Sequence, residues 1–350
     1  MYGSNTGHTR RSRRAAARAG AVGVLLLLAV PGCSSSDEAP KKEAAPASQQ
    51  PAQQQPKARS PFWVNPDGTA AKESARLRRS GKEADAELLQ KIASQPVAEW
   101  VGIDDPEGQT RGFTEAAVKA DRDALLVLYN IPHRDCGQYS QGGASDGDAY
   151  RAWLDRAVRG IGDRPATVIL EPDALPHMED GCTPQEYHEE RFALIKEAVG
   201  KLKALPRTKV YLDAGNPSWV TPVDRMAEPL RRAGIEQADG FALNVSNFQT
   251  TEDSKDYGHR LSRLVGGKHF VIDTSRNGNG PLSGGDHEKA WCNPSGRALG
   301  EPPTTRTGDR QVDAYLWVKR PGESDGACKG GPDAGQWWET YALELARNSR

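Results

Sequence analysis

Five aspartates sit where a short apolar run gives way to a loop. Asp135 follows VLYNIPHR, Asp173 closes VILEPD, Asp213 lies in VYLDAG, Asp273 in FVIDTS, and Asp325 closes LWVKRPGESD. Carboxyls repeated at strand ends can divide an acid-assisted hydrolysis between them. One protonates a leaving oxygen; another attacks, or helps to activate water. Such chemistry needs no cofactor, and none is expected. Aromatic residues accompany these blocks: Tyr129, Trp219, Trp291, Trp317, Trp337 and Trp338. An exposed indole can lie flat on the apolar face of a sugar ring, which makes a glycosidic bond the natural target. No metal is expected, because the chain has no C-x-x-C pair and no HExxH.

The elements that must position these groups are strand-like runs at VAEWVGI, ALLVLYNI, ATVILE, KVYLDA, GFALNV, HFVID and AYLWVK. Most follow a helical or mixed segment such as AYRAWLDRAVRGI, EYHEERFALIKEAVGKL or VDRMAEPLRRAGI. GKEADAELLQKIA reads as an amphipathic helix with Leu88, Leu89 and Ile92 on one face, stopped before Pro96. Strands alternating with crossovers place the chain in the α/β class, as a parallel barrel, closed or nearly so, with its acids at one rim. The segment from Asn277 to Asp313 has neither period and is rich in Gly and Pro, so it reads as a functional loop over the barrel mouth. Some residues carry blander expectations. Asp273 can be a turn residue as readily as a site residue. Trp63, Trp100 and Trp153 read as core, Trp317 as either core or sugar contact, and His133 and His177 as local hydrogen-bonding residues.

The 350 residues carry 46 Lys+Arg and 47 Asp+Glu, a net charge of −1, so no global field favours nucleic acid. The basic excess is N-terminal, where Arg10, Arg11, Arg13, Arg14 and Arg18 precede an apolar stretch from Ala21 to Val30. That stretch is too short for a permanent span and suits a secretory signal. It ends in LAVPGCSSS, which resembles a lipoprotein signal with Cys33 as the lipidated residue. Residues 1–33 then form the signal, and a lipid is the sole membrane attachment; a plain secretion signal is the alternative, and the paired arginines leave a twin-arginine route open. Residues 34–59, made of Ser, Ala, Pro, Gln and Lys without a large apolar side chain, read as a disordered tether. Residues 60–350 read as one domain. Apart from Cys33 the chain holds Cys136, Cys182, Cys292 and Cys328, an even set that suggests two disulfides in an exported protein. Sequence allows three pairings; Cys136 with Cys182 and Cys292 with Cys328 is the most local.

Six blocks in order, LYNIPHRDCG, ILEPDALP, YLDAGNPSW, FVIDTSRNGNG, WCNPSGRALG and DAYLWVKRPGESDGAC, closely resemble glycoside hydrolase family 6, from about Ser60 to the C-terminus. The resemblance implies a distorted, TIM-like parallel β/α barrel of about seven strands as a single catalytic domain. It implies inverting hydrolysis of β-1,4-glucan. Carried over by position, the proton donor is Asp173. Asp135 holds the donor's proton affinity high and joins a water chain. Asp325 is base or charge stabiliser, and Asp213 is supporting. Tyr129 presses the sugar ring toward a skewed form, while Lys319, Glu323 and Asn247 contact sugar hydroxyls and Trp219 and Trp291 stack. Two positions depart from the pattern. Asn216 stands where the family often has His, and Gln141 where it often has the water-chain serine, with Ser140 adjacent as a substitute. Endo action by a monomer is expected from the compact C-terminal loop. A cellobiohydrolase, a mixed-linkage β-glucanase and a non-catalytic glucan-binding surface lipoprotein are the alternatives.

Overall fold

A computed structural model describes residues 60–283 and 290–349. The signal-like stretch, Cys33 and the tether lie outside the described residues. Seven strands pair in parallel in chain order. They are β1 (Glu99–Trp100), β2 (Ala124–Leu128), β3 (Ala166–Leu170), β4 (Thr208–Asp213), β5 (Gly240–Leu243), β6 (His269–Asp273) and β7 (Val312–Leu316). Each falls within one of the seven runs expected from sequence, or overlaps it. The helices are α1 (Thr69–Arg79), α2 (Glu83–Ala93), α3 (Pro106–Lys119), α4 (Gly147–Ile161), α5 (Pro176–Glu179), α6 (His188–Lys203), α7 (Ala227–Arg232), α8 (Thr251–Leu264) and α9 (Glu339–Asn348).

β2, β3 and β5 are buried at every residue, and β4, β6 and β7 at most of theirs, because both faces of the sheet are covered. Alternate residues point to opposite sides of the sheet. Leu125, Val127, Ile169, Tyr211, Ala242, Val271, Ala314 and Leu316 fill the barrel interior. Their neighbours Leu126, Leu128, Val168, Leu170, Val210, Leu212, Phe241, Leu243 and Phe270 pack outward under the helices. Register keeps each layer level, with Val127 beside Ile169 and Ile169 beside Tyr211. Entry to three of the helices is fixed by side-chain caps: Asp105 accepts from Gly108 N–H, Asp146 from Ala149 N–H and Thr250 from Asp253 N–H.

The sheet is not laddered between β1 and β7. Ala98 N–H donates to Trp317 O at 3.0 Å, and Trp100 Nε1–H donates to Val318 O at 2.9 Å. A separate cluster holds Leu77, Leu89, Ile92, Leu299, Trp317, Tyr341 and Leu345, drawn from α1, α2, α9 and the end of β7. Trp317 is 1% exposed, with its indole N–H on Glu301 O. Trp337 and Trp338 pack against the same cluster. Trp317 is therefore core, one of the two readings left open for it, while Trp337 and Trp338 are half-buried against the cluster and do not line the cleft, which corrects the sugar-stacking expectation for that pair.

The long segment before β7 divides. Pro281, Ala290 and Trp291 line the cleft, whereas Leu299 packs into the terminal cluster and Thr304 bridges Tyr315 of β7. Among the described residues of the segment, only its first part lines the cleft.

Candidate active site

The loops that follow the strands surround a cleft of about 790 Å³ lined by all the expected contact residues, among them Tyr129, Asp135, Asp173, Trp219, Trp291, Lys319, Glu323 and Asp325. Ser140 and Asn247 line it as well. Asp213 does not reach the lining. It is buried one strand away and accepts the Asp173 backbone N–H at 2.8 Å.

The loop after β2 carries Asp135 in left-handed backbone, with φ 53°, and receives the Ser140 N–H on Oδ2 at 2.5 Å. The loop after β3 holds Glu171 and Asp173 in the same region, φ 48° and 68°. Non-glycine residues held there carry strain that only a well-determined surround maintains, and such positions cluster at working sites. Glu171 supplies part of that surround: its carboxylate accepts Asn130 N–H at 3.0 Å and Ile131 N–H at 2.9 Å. Arg191 of α6 supplies more, donating to Ala174 O and Thr183 Oγ1 on one loop and to Pro132 O and His133 O on the other. Disulfides join Cys136 to Cys182 and Cys292 to Cys328. The first ties the Asp135 loop to the chain beyond Asp173. Replacing Cys136 and Cys182 together by serine is expected to lower unfolding stability by about 2–4 kcal/mol in urea titration. Unchanged stability and activity would remove that tie from the account.

Charge is arranged in two groups. Burial, then the facing Asp135, raises the pKa of Asp173, while His177 moderates the rise. Tyr129 Oη lies 3.4 Å from Asp173 Oδ2 and donates to it. Burial also raises Asp135, against the Ser140 N–H and His177, and it raises Asp213, with Asp173 adding repulsion. Carboxylate oxygens of Asp135 and Asp173 and a ring nitrogen of His177 lie within 4.8 Å of one another. The second group behaves oppositely. Burial works against the Asp325 carboxylate, but Arg276 at 2.9 Å and Lys319 at 3.4 Å outweigh it and hold the pKa low. One acid group thus has its proton affinity raised, and the other is held toward the ionised form.

Glu171 is pushed up to about 7, chiefly by burial. An acid whose folded pKa lies above its unfolded value contributes stability that is present below the unfolded value and lost as pH rises through the folded one. Stability is therefore expected to decline from about pH 4.5 to 7, and Glu171→Gln to flatten that decline in melting curves recorded across it.

Arg276 and Tyr139 escaped the sequence reading, Trp100 was misplaced by it, and His177 is the local hydrogen-bonding residue it expected. Trp100 is half-buried, lines the cleft and meets Tyr129 edge-on at 5.7 Å, which corrects its assignment to the core. Its parity with the inward Ala98 was the available signal; the last inward position of a barrel strand faces the mouth. Arg276 is buried under Asp325, and nothing in TSRNGNG marks its partner. Tyr139 reaches Trp291, ring centroids 6.0 Å apart. It also covers Gly326, where a Cβ would lie 2.3 Å from its ring, so only glycine fits. His177 is buried among acids. Asp273, by contrast, is a structural hub: it accepts N–H groups from Ser246, Ser275, Val318 and Lys319.

A parallel α/β barrel with an acid-lined, aromatic-walled groove at the carboxyl ends of its strands defines the class. The chain belongs to glycosyl hydrolases family 6, whose family model matches residues 57–349. It is 47% identical over 299 residues to Endoglucanase A of Cellulomonas fimi, covering 84% of this chain and 63% of the relative. It is 41% identical over 296 residues to Endoglucanase A of Thermobispora bispora, covering 83% and 62%. The chain thus spans a little over three fifths of those relatives' lengths. Among solved structures, an endoglucanase from Mycobacterium tuberculosis in complex with a methyl-cellobiosyl thio-cellobioside superposes with a TM-score of 0.77. That pair is 45% identical, and the match covers 83% of this chain and 98% of that one.

Proposed function

We propose that this protein hydrolyses internal β-1,4-glucosidic bonds of cellulose or a related β-glucan, with inversion at the anomeric carbon. The observation that carries the reading is Asp173, an acid on the cleft wall whose pKa is raised to about 6 by burial and by Asp135. It donates its proton to the leaving oxygen. Asp135 lies closer to Asp173 than the roughly 6.5–9.5 Å that a water on the far face requires of a direct acid–base pair. It therefore serves as the partner that raises the proton affinity of Asp173 and as the end of a water relay, with Ser140 beside it. Asp325, held ionised, stabilises positive charge developing at the anomeric carbon. Asp213 fixes the Asp173 backbone. Tyr129 presses on the sugar at the cleavage point, Trp219 and Trp291 stack on flanking rings, and Lys319, Glu323 and Asn247 bind hydroxyls.

In this reading residues 1–33 are the signal, Cys33 carries the lipid, and 34–59 tether a monomeric catalytic domain of 60–350 outside the cell membrane. The two disulfides support export. Endo action is supported by the names of the relatives. Product analysis on carboxymethylcellulose and cello-oligosaccharides, with the new anomer followed by NMR, tests the core of this. Random internal cuts and an α-anomer are expected. A β-anomer would sink the inverting assignment.

A further inference from the structure

His177 has no part in the chemistry above, yet its ring occupies the junction of that chemistry. It lies on α5, 7% exposed. Nδ1 is 3.2 Å from Asp180 Oδ2, and Asp180 also accepts the Cys182 backbone N–H at 2.9 Å and the Trp219 indole N–H at 2.8 Å. Those donors and His177 itself, working against burial, keep Asp180 ionised. An ionised acceptor at Nδ1 sets the tautomer: Nδ1 carries the hydrogen, and Nε2 is left bare. Nε2 points to Asp135 Oδ1 at 3.9 Å. Trp219 meets the ring edge-on at 4.8 Å and limits its rotation.

An inverting hydrolysis leaves protons in the wrong places. Asp173 has given one to the leaving oxygen, and the attacking water has released one toward Asp135. A second turnover needs the proton back on Asp173, while a polymer lying in the cleft keeps bulk water away. We propose that His177 is the proton-return residue, taking a proton from the Asp135 acid and delivering it to the Asp173 carboxylate. In the first step the Asp135 O–H bond breaks and an Nε2–H bond forms, giving carboxylate and imidazolium. In the second the Nε2–H bond breaks and an Asp173 O–H bond forms, restoring neutral imidazole. Charge and protons balance, and no other reactant enters. The 3.9 Å gap is closed on substrate binding or bridged by one water, as resting proton-transfer contacts commonly require.

The groups around the ring suit the task. Asp180 faces it from the end of its own helix, Asp135 from the loop after β2, Asp173 from the loop after β3, and Asp213 from β4. Burial opposes the imidazolium, but the acids together lift its pKa above the ordinary value, so both forms are within reach near neutrality. The return path is local to this histidine and independent of the position where Gln141 stands.

This inference rests on the hydrolase reading, and its test separates the two. Full-length parent, His177→Gln and His177→Asn are assayed on cellotetraose, whose leaving group needs the Asp173 proton, and on 2,4-dinitrophenyl β-cellobioside, whose leaving group does not. For both variants kcat on cellotetraose is expected to fall by about tenfold or more, with KM within about twofold. On the dinitrophenyl substrate the loss stays under about threefold. Free imidazole restores cellotetraose turnover to His177→Ala, which a merely structural role would not allow. Melting curves of the variants report folding. Equal losses on both substrates, or no loss on cellotetraose, overturn the inference alone. A parent that cleaves neither substrate overturns the hydrolase reading together with it.

Discussion

If Asp173 is the proton donor, Asp173→Asn is expected to lower turnover of cello-oligosaccharides by about 10²–10⁴-fold and to leave their binding nearly unchanged. The amide keeps the shape of the acid and the Tyr129 contact but has no proton to give. Burial is the main cause of the raised Asp173 pKa, and a donor role predicts that the parent's rate falls as pH climbs through that raised value. The variant has no such alkaline limb. Initial rates on cellotetraose across the pH range, with calorimetric titration of the same ligand, check both halves. If the variant loses binding and rate together, the residue is a contact and not a donor.

The second large effect is on stability. Arg276 is fully buried and pairs with Asp325 at 2.9 Å; it also lies 4.3 Å over the Phe248 ring and donates to Ser246 O. Arg276→Met leaves the buried Asp325 carboxylate with Lys319, at 3.4 Å, as its remaining cation and is expected to cost about 3 kcal/mol at neutral pH. Asp325 in the parent has a depressed pKa, so the pair's stabilisation is present above the unfolded carboxylate value and lost as pH falls toward the folded one. The gap between variant and parent therefore narrows in acid. Adding Asp325→Asn to Arg276→Met should recover part of the loss, because the second change removes the buried carboxylate's charge. Urea titrations of the two single variants, the double variant and the parent measure the coupling. A near-zero coupling would mean that the contact with Asp325 is incidental.

What could be read in advance follows the chemistry of burial. β2 (ALLVL) and β3 (ATVIL) are buried at every residue, and continuous apolar runs of that length have few other uses. Asp173 and Asp135 were readable because whole blocks of residues surround them. α1 was not foreseen: TAAKESARLRR buries only Ser74 and Leu77, too little to set a period. β1 keeps two paired residues of the longer run expected there, since Glu99 turns to an ion pair with Arg320 at 2.8 Å. The pairing of Arg276 with Asp325 spans 49 positions, and that of His177 with Asp135 joins two loops. A charged side chain reveals its partner only once the sheet has brought the two loops together. Trp337 and Trp338 misled for a related reason: an indole suits a sugar and a helix equally well, and α9 claims these two.

The junction of β1 and β7 has a consequence for assembly. The first two helices and α9 are the clasp over that flank, so the ring of strands can be drawn shut only after α9 has emerged. Contacts so distant along the chain form late and slowly. Deleting the α9 segment would leave Trp317 and Leu89 without cover on one side, and the flank would gape with every catalytic carboxylate still encoded.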